Sequence, residues 1–266
     1  MIARTLNNMS ARRPGQYGVT LIELLIAMVV GLILIAGGSQ IYLSNKQAYR
    51  SQEAVSYVNS NTRFAMFFMQ DIINMAGFKG DPAESDADAF PAAPAVGNCL
   101  AFAKNQFVAG TNDNNGFCVR MKSASNSSGS ATDVAQMTDC LGINIAENDL
   151  VTTRFFISNT NELSCQTFHT NNAGGLNQPL VSNVTITNLQ FGVDTNNDKM
   201  VDFPYVANPS DWRNVIAANI TMNFTSDEAT SGQVTMDRND PDNPDRLLQR
   251  NVTRTFALRS RTNPIP

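Results

Sequence analysis

The chain has 266 residues, a formal net charge of −4 and a single histidine. Beyond a leader and one long helix, that length leaves room for one domain of ordinary size or a larger one with long loops. The first 18 residues hold three arginines and no acid, so without them −4 becomes −7, and so acidic a remainder argues against a broad basic surface for nucleic acid.

Those residues, Met1–Gly18, carry Arg4, Arg12 and Arg13. Next comes Gly18-Val19-Thr20-Leu21-Ile22-Glu23-Leu24, and from Leu24 to Gly38 no residue is charged. Val19–Gly38 meets the ~20 apolar residues that a membrane-spanning helix needs, and the arginines would hold the N-terminus in the cytoplasm. In an ordinary signal peptide the apolar core precedes a small-residue cleavage site. Here Gly18 precedes the core, so a cut after it would leave the core on the mature chain. A plain anchor, for its part, has no use for Glu23. A carboxylate in hydrocarbon is costly unless paired, and marks a functional position.

Gly18-Val19-Thr20-Leu21-Ile22-Glu23-Leu24-Leu25 resembles the type IV prepilin cleavage and methylation site, shared by type IV pilins and type II secretion pseudopilins. The resemblance implies that a membrane prepilin peptidase cuts between Gly18 and Val19. It also implies that Val19 is then N-methylated and that Glu23 lies in the hydrophobic core of a helical filament. Val19 departs from the family pattern, which usually has Phe there.

One helix is expected from Val19 to about Gly77, roughly 85–90 Å long at 1.5 Å per residue. Residues 19–41 would be its membrane or filament-core part and 42–77 its amphipathic part. Gly37-Gly38 is the weak point, since each Gly costs about 1 kcal/mol in a helix interior; the resemblance implies local melting there in an assembled filament. Lys46, Gln47, Arg50, Gln52 and Glu53 read as solvated. Val55, Val58, Thr62, Ala65, Met69, Ile72 and Ala76 then recur at steps of three and four, one stripe on a helix. Phe64, Phe67 and Phe68 would widen it. Thr62 and Ala65 are weak knobs for a coiled coil, so the stripe is expected to pack on the chain's own sheet. Gly77 suits a C-cap. The stretch from Arg63-Phe64-Ala65-Met66 to Ala76-Gly77-Phe78 resembles the end of the N-terminal helix in the PilW family of minor pilins. Further likeness covers Leu189–Asp202, Trp212–Ile220 and Leu258-Arg259. The family's usual Arg at the place of Asn74, and its Cys after the helix, are missing here, so no role is carried over for them.

Residues 81–148 are rich in Ala, Asp, Asn, Ser and Gly, with short strands expected at Leu100–Phe102 and Phe117–Met121. Ser123–Thr132 is close to low complexity and reads as a loop. Cys99, Cys118, Cys140 and Cys165 all lie beyond the membrane segment, and an even count in an oxidising compartment reads as two disulfides. Three connectivities exist; the sequential one, Cys99–Cys118 and Cys140–Cys165, is the expectation. Zinc is disfavoured because no cysteine pair has close ligand spacing and His169 has no partner histidine.

From Asp149 strand signals strengthen. Leu150–Ser158 and Glu162–Phe168 flank Asn159-Thr160-Asn161 as a hairpin. Val181–Val193 reads as one strand. Ile216, Ala218, Ile220, Met222 and Phe224 alternate with polar residues, as do Val252, Phe256 and Leu258, where Arg254 breaks the pattern. Short turns predict an antiparallel sheet, and helix before sheet gives an α+β fold. Asp194, Asn196, Asp198, the Met200 carbonyl and Asp202 have the spacing of a calcium loop, although Lys199 stands where Gly is usual and Tyr205 where Glu is; an Asx-rich turn is the other reading. Asp237–Asp245 reads as an exposed acidic loop, Trp212 as core, and His169 as a surface or strand residue rather than a catalyst. There is no phosphate loop, nucleophile elbow or paired-histidine zinc motif, hence no enzyme is expected.

Taken with the resemblance, the expectation is a type IV pilus minor pilin similar to the PilW family. Residues 78–266 would form a periplasmic β-rich domain. The partners would be prepilin peptidase, other minor pilins, the major pilin and the inner membrane, with no direct nucleic-acid partner. A type II secretion pseudopilin, a tip adhesin and a DNA-uptake receptor are the alternatives.

Overall fold

The computed structural model describes residues 18–124, 137–170, 172–229 and 247–262. The leader up to residue 17, most of the Ser123–Thr132 loop and the Asp237–Asp245 loop lie outside the described residues. The chain divides into two compact units, Met1–Tyr49 and Arg50–Pro266, and the long helix α1, Leu21–Asn74, belongs to both.

In the first unit α1 runs unbroken through Gly37-Gly38, where a Cβ would meet nothing within 4 Å. Its large apolar side chains, from Leu21 to Leu43, are all exposed. The helix is long and apolar enough to cross a membrane, and none of its apolar window is buried within the chain.

In the second unit α1 buries Ser51, Ala54, Val58, Thr62, Ala65, Met66, Met69, Ile72 and Ile73, and Ala76 follows. The stripe therefore starts from Ala54. Val55 sits one residue around the helix and stays 36% exposed. Phe64 and Phe67 are also off the stripe, exposed at 49% and 75%. Phe68 alone widens it, with its ring edge-on to Phe155 at 6.5 Å. The helix stops where Gly77 turns to φ +74°, the left-handed conformation glycine adopts without a Cβ clash, and the Gly77 N–H donates to Arg120 O at 2.8 Å.

The β strands form two antiparallel sheets rather than one. The first has strands β1 (Val108–Gly110), β2 (Gly116–Lys122), β3 (Leu150–Ile157), β4 (Leu163–His169) and β5 (Asn172–Val181) in sequential order. The second has β6 (Val184–Val193), β7 (Asp202–Val206), β8 (Val215–Ala229) and β9 (Leu247–Ala257) in the order β7-β6-β8-β9. The expected single strand Val181–Val193 is cut at Ser182-Asn183. Asn183 takes φ +58°, which only Gly, Asn and Asp adopt readily, and the chain passes from one sheet to the other. Leu100–Phe102 is no strand; Cys99 and Phe102 make isolated bridges to Thr111 and Ala93. The strand beside β2 is instead β1, too short to show a period.

One apolar core joins the α1 stripe to inward side chains of both sheets, among them Phe117, Phe155, Leu163, Phe191, Ile220, Met222 and Phe224. On the opposite face of the second sheet, uncharged polar pairs cross the strands: Asn219 to Thr255 at 2.8 Å, Thr221 to Thr253 at 2.9 Å and Asn223 to Gln249 at 3.3 Å. The first two pairs are directly opposed and the third is diagonal; cross-strand contacts of both kinds stabilise a sheet. The break at Arg254 has a tertiary cause. Arg254 lies on the core-facing side of edge strand β9 and donates to Gln70 of α1, as Arg250 does to Asn59.

Arg120 on β2 is 1% exposed and faces no carboxylate among the described residues. Its Nη1 donates to Pro91 O at 3.0 Å and Gln106 O at 3.2 Å, its guanidinium lies 4.8 Å from the Phe102 ring centre, and Nη2 has no partner among those residues. Burial pulls its pKa down to about 10, because a low-dielectric site disfavours the charged form. Arg120→Met keeps most of the volume but leaves the carbonyls of Pro91 and Gln106 without their donor, and should cost about 1.5 kcal/mol of unfolding free energy. Arg120→Ala, which opens a cavity under Phe90 and Phe102, should cost about 3 kcal/mol. Urea unfolding of the two variants checks the difference.

Candidate functional site

The region around Gly18, Val19 and Glu23 is built from the start of α1. Gly18, Val19 and Thr20 precede the helix, and Val19 is 73% exposed. Thr20 Oγ1 accepts from Glu23 N at 3.4 Å, and Glu23 Oε2 accepts from Thr20 N at 3.4 Å. This reciprocal arrangement is a capping box, which satisfies two backbone donors that a helix start otherwise leaves orphaned. The Thr-x-x-Glu spacing is its signal in the sequence, beside the more conspicuous signal of an acid in an apolar run. The box turns the Glu23 carboxylate back over the first turn, onto the Thr20 amide. A Cβ added at Gly18 would meet nothing within 4 Å among the described residues.

The four cysteines are joined as Cys99–Cys118 and Cys140–Cys165, at sequence separations of 19 and 25. Each ties a strand of the first sheet to an irregular segment that covers it: Cys118 of β2 to residue 99, and Cys165 of β4 to residue 140.

Beside the second disulfide lies a cluster with no signature in the sequence. His169, at the end of β4, has Nδ1 2.7 Å from Asp149 Oδ2 and Nε2 3.3 Å from Asp139 Oδ2. Both aspartate side chains are almost fully buried, Asp139 at 0% and Asp149 at 3% exposure, and the imidazole is 18% exposed. Asp139 also accepts from Thr167 Oγ1, Leu141 N and Ile143 N, and Asp149 accepts from Thr170 N. The ring thus clasps the segment 139–149 to the sheet. Asp139 and Asp149 stand 30 and 20 residues from His169, and no local spacing announces such a meeting.

Asp194, Asn196, Asp198, Met200 and Asp202 lie on the β6–β7 connection, but their carboxylates do not converge. Asp194 Oδ1 accepts from Asn197 N and Asp198 N, and its Oδ2 accepts from Lys199 N. Asp202 Oδ2 accepts from both the amide and the hydroxyl of Thr195, and the hydroxyl bond, with the amide, pulls the Asp202 pKa down. Asn197 and Lys199 take φ +63° and +66°. The geometry is that of an Asx turn. Among the described residues no group of three carboxylate, imidazole or thiolate side chains is arranged to hold a metal.

Two other charged groups are tuned by neighbours. Arg154, packed 3.9 Å over the Phe156 ring, has its pKa lowered by burial against the raising effect of Asp113. Burial pushes the Asp113 carboxyl up, but the Thr111 hydroxyl, the Asn115 amide and Arg154 together hold it below its ordinary value.

The model of the prokaryotic N-terminal methylation motif matches residues 13–39. That span contains Gly18, Val19, the Thr20–Glu23 box and the exposed apolar run. The chain therefore carries a prepilin-type N-terminal methylation motif. No curated protein matches the sequence. Among solved structures, a type IV-like pilin from Thermus thermophilus aligns over 80% of this chain and 98% of that one, at 8% identity and a TM-score of 0.39.

Two measurements check these assignments. Thr20→Ala removes one half of the capping box, worth about 1 kcal/mol, and should speed amide exchange at Glu23 about fivefold in the detergent-solubilised chain. His169→Leu leaves two buried carboxylates without their shared ring and should cost about 3 kcal/mol in urea unfolding. His169→Gln, which keeps a donor, should cost less.

Proposed function

We propose that the chain is a minor pilin, a structural subunit that helps to prime or assemble type IV pili, similar to the PilW family. The observation that carries this reading is the methylation motif at residues 13–39 seated on an apolar helix that the chain itself leaves uncovered. In this reading prepilin peptidase cuts between Gly18 and Val19 and Val19 is N-methylated. The chain then waits in the inner membrane as a single-pass protein with its β-rich domain in the periplasm, before joining other minor pilins and the major pilin.

The mechanism follows from charge and solvent. Apolar helices 19–41 leave lipid to bundle with one another. Cleavage creates an amine at Val19, four residues before Glu23, on the side to which the capping box already turns the carboxylate. In a low-dielectric bundle an unpaired carboxylate is strongly unfavourable, and pairing with an amine, its own or a neighbour's, relieves that cost. Because the pair forms only at one axial position, it sets the register between subunits.

Mass spectrometry of the native protein should give an N-terminus at N-methylated Val19; an intact Met1–Gly18 segment would overturn the reading. Glu23→Ala should be cut normally and retained in the membrane fraction, with at least tenfold less protein in sheared pili. Normal incorporation of that variant would remove Glu23 from assembly. Deletion should abolish twitching and leave protein secretion intact; the reverse result identifies a secretion pseudopilus subunit.

A further inference from the structure

We infer that the second unit carries a binding site for one neutral sugar ring, in the cleft between the β1–β2 turn, strand β6 and the segment 207–212. The cleft has a volume of about 250 Å³, below the ~300–1,000 Å³ typical of sites for drug-sized ligands, so it takes a single ring. No charged residue lines it, in a chain where 16% of residues are charged. Phosphates, nucleotides, carboxylate ligands and metal ions therefore find no counter-charge there.

The polar lining is instead amide and hydroxyl: Asn114, Asn188, Asn208, Thr111 and Thr187. Thr111 Oγ1 has two acceptors for its one proton, Gly116 O at 3.1 Å and the Asp113 carboxylate, and Thr187 Oγ1 donates to Thr221 O at 3.2 Å. Both hydroxyl protons are thus committed to the protein, and their oxygens remain able to accept. Asn188 uses one amide proton on Gln190 Oε1 at 3.3 Å. Asn114 and Asn208 are exposed, and their side-chain amides make no hydrogen bond among the described residues. Each sugar hydroxyl is both donor and acceptor, and a side-chain amide offers both to a neighbouring pair of hydroxyls.

The remaining wall is aromatic. Trp212 is half-buried, with its ring centre 4.7 Å from that of Phe191 in an edge-on contact. A Cβ at Gly110 would fall 2.9 Å from the indole, so the glycine is what lets Trp212 lie against β1. A sugar ring has an apolar C–H face and a hydroxyl edge, and this cleft sets an indole beside amides that have no other work. The site is independent of whether the chain polymerises.

Trp212 is the one tryptophan in the chain, so intrinsic fluorescence reports on the cleft. The full chain, in a detergent without a sugar headgroup, is titrated separately with galactose, mannose and N-acetylglucosamine, with N-acetylneuraminic acid as the charged control and glycylglycine amide as a peptide control. Saturation-transfer NMR on the same samples registers any binding that leaves the indole unperturbed. At least one neutral sugar should bind saturably with a dissociation constant of roughly 1–10 mM, and neither control should. Asn114→Ala and Asn208→Ala, both at exposed positions, should each weaken that sugar about tenfold with an unchanged Tm. No saturable binding of any neutral sugar, equal binding of either control, or full affinity in both variants overturns the site.

Discussion

The second half of α1 is the element on which the folded unit depends. Each sheet has an apolar face that must be covered, and neither covers the other alone. Ala54, Val58, Ala65, Met69 and Ile72 form a stripe whose members are at most 5% exposed, packed in one core with inward residues of both sheets. Polar contacts then fix the helix's rotation and its end: Arg250 and Arg254 of β9 reach Asn59 and Gln70, Ser260 Oγ donates to Ala76 O, and Gly77 pairs with Arg120.

The first sheet needs more than that helix. Both of its faces are buried along β2 and β3, and the face away from the main core is covered by irregular chain rich in Ala, Asn and Asp. Such chain buries too little apolar surface to hold itself down. On that face it is fastened at particular points instead, by the Cys99–Cys118 disulfide and by Arg120 donating to the carbonyls of residues 91 and 106, while the Cys140–Cys165 disulfide and the His169 clasp fasten the segment 139–149 on the core-facing side of β4. These fasteners are chemically unlike one another but serve one end, supplying fixed contacts where hydrophobic burial is thin.

The first unit poses the opposite problem. Its apolar side chains have no cover within the chain, and a continuous apolar surface of that extent is unstable in water. Lipid or other copies of the same helix satisfy it equally well. In the proposed mechanism the Glu23 carboxylate would make those two environments differ, since hydrocarbon offers it no partner and a bundle of amine-bearing helices does.

The N-terminal motif, the long helix, the hairpin β3–β4 and the alternation in β8 were legible because each is local. A leader with arginines, a run without charge, a period of 3.6 or of 2 all lie within a few residues of chain. The Thr20–Glu23 box was equally local. The sequence could not separate Val55 from Ala54 as the stripe's first member, since both are apolar and the choice is one residue's rotation about the helix. Nor could it divide Val181–Val193 between two sheets, because Asn183 at positive φ is a turn only when the strands on either side find different partners. His169 with Asp139 and Asp149, the buried Arg120, and the cleft beside Trp212 were decided by tertiary structure alone. Each joins residues from separate strands and loops, and contact between distant residues is fixed by the packing of the whole core, not by spacing along the chain.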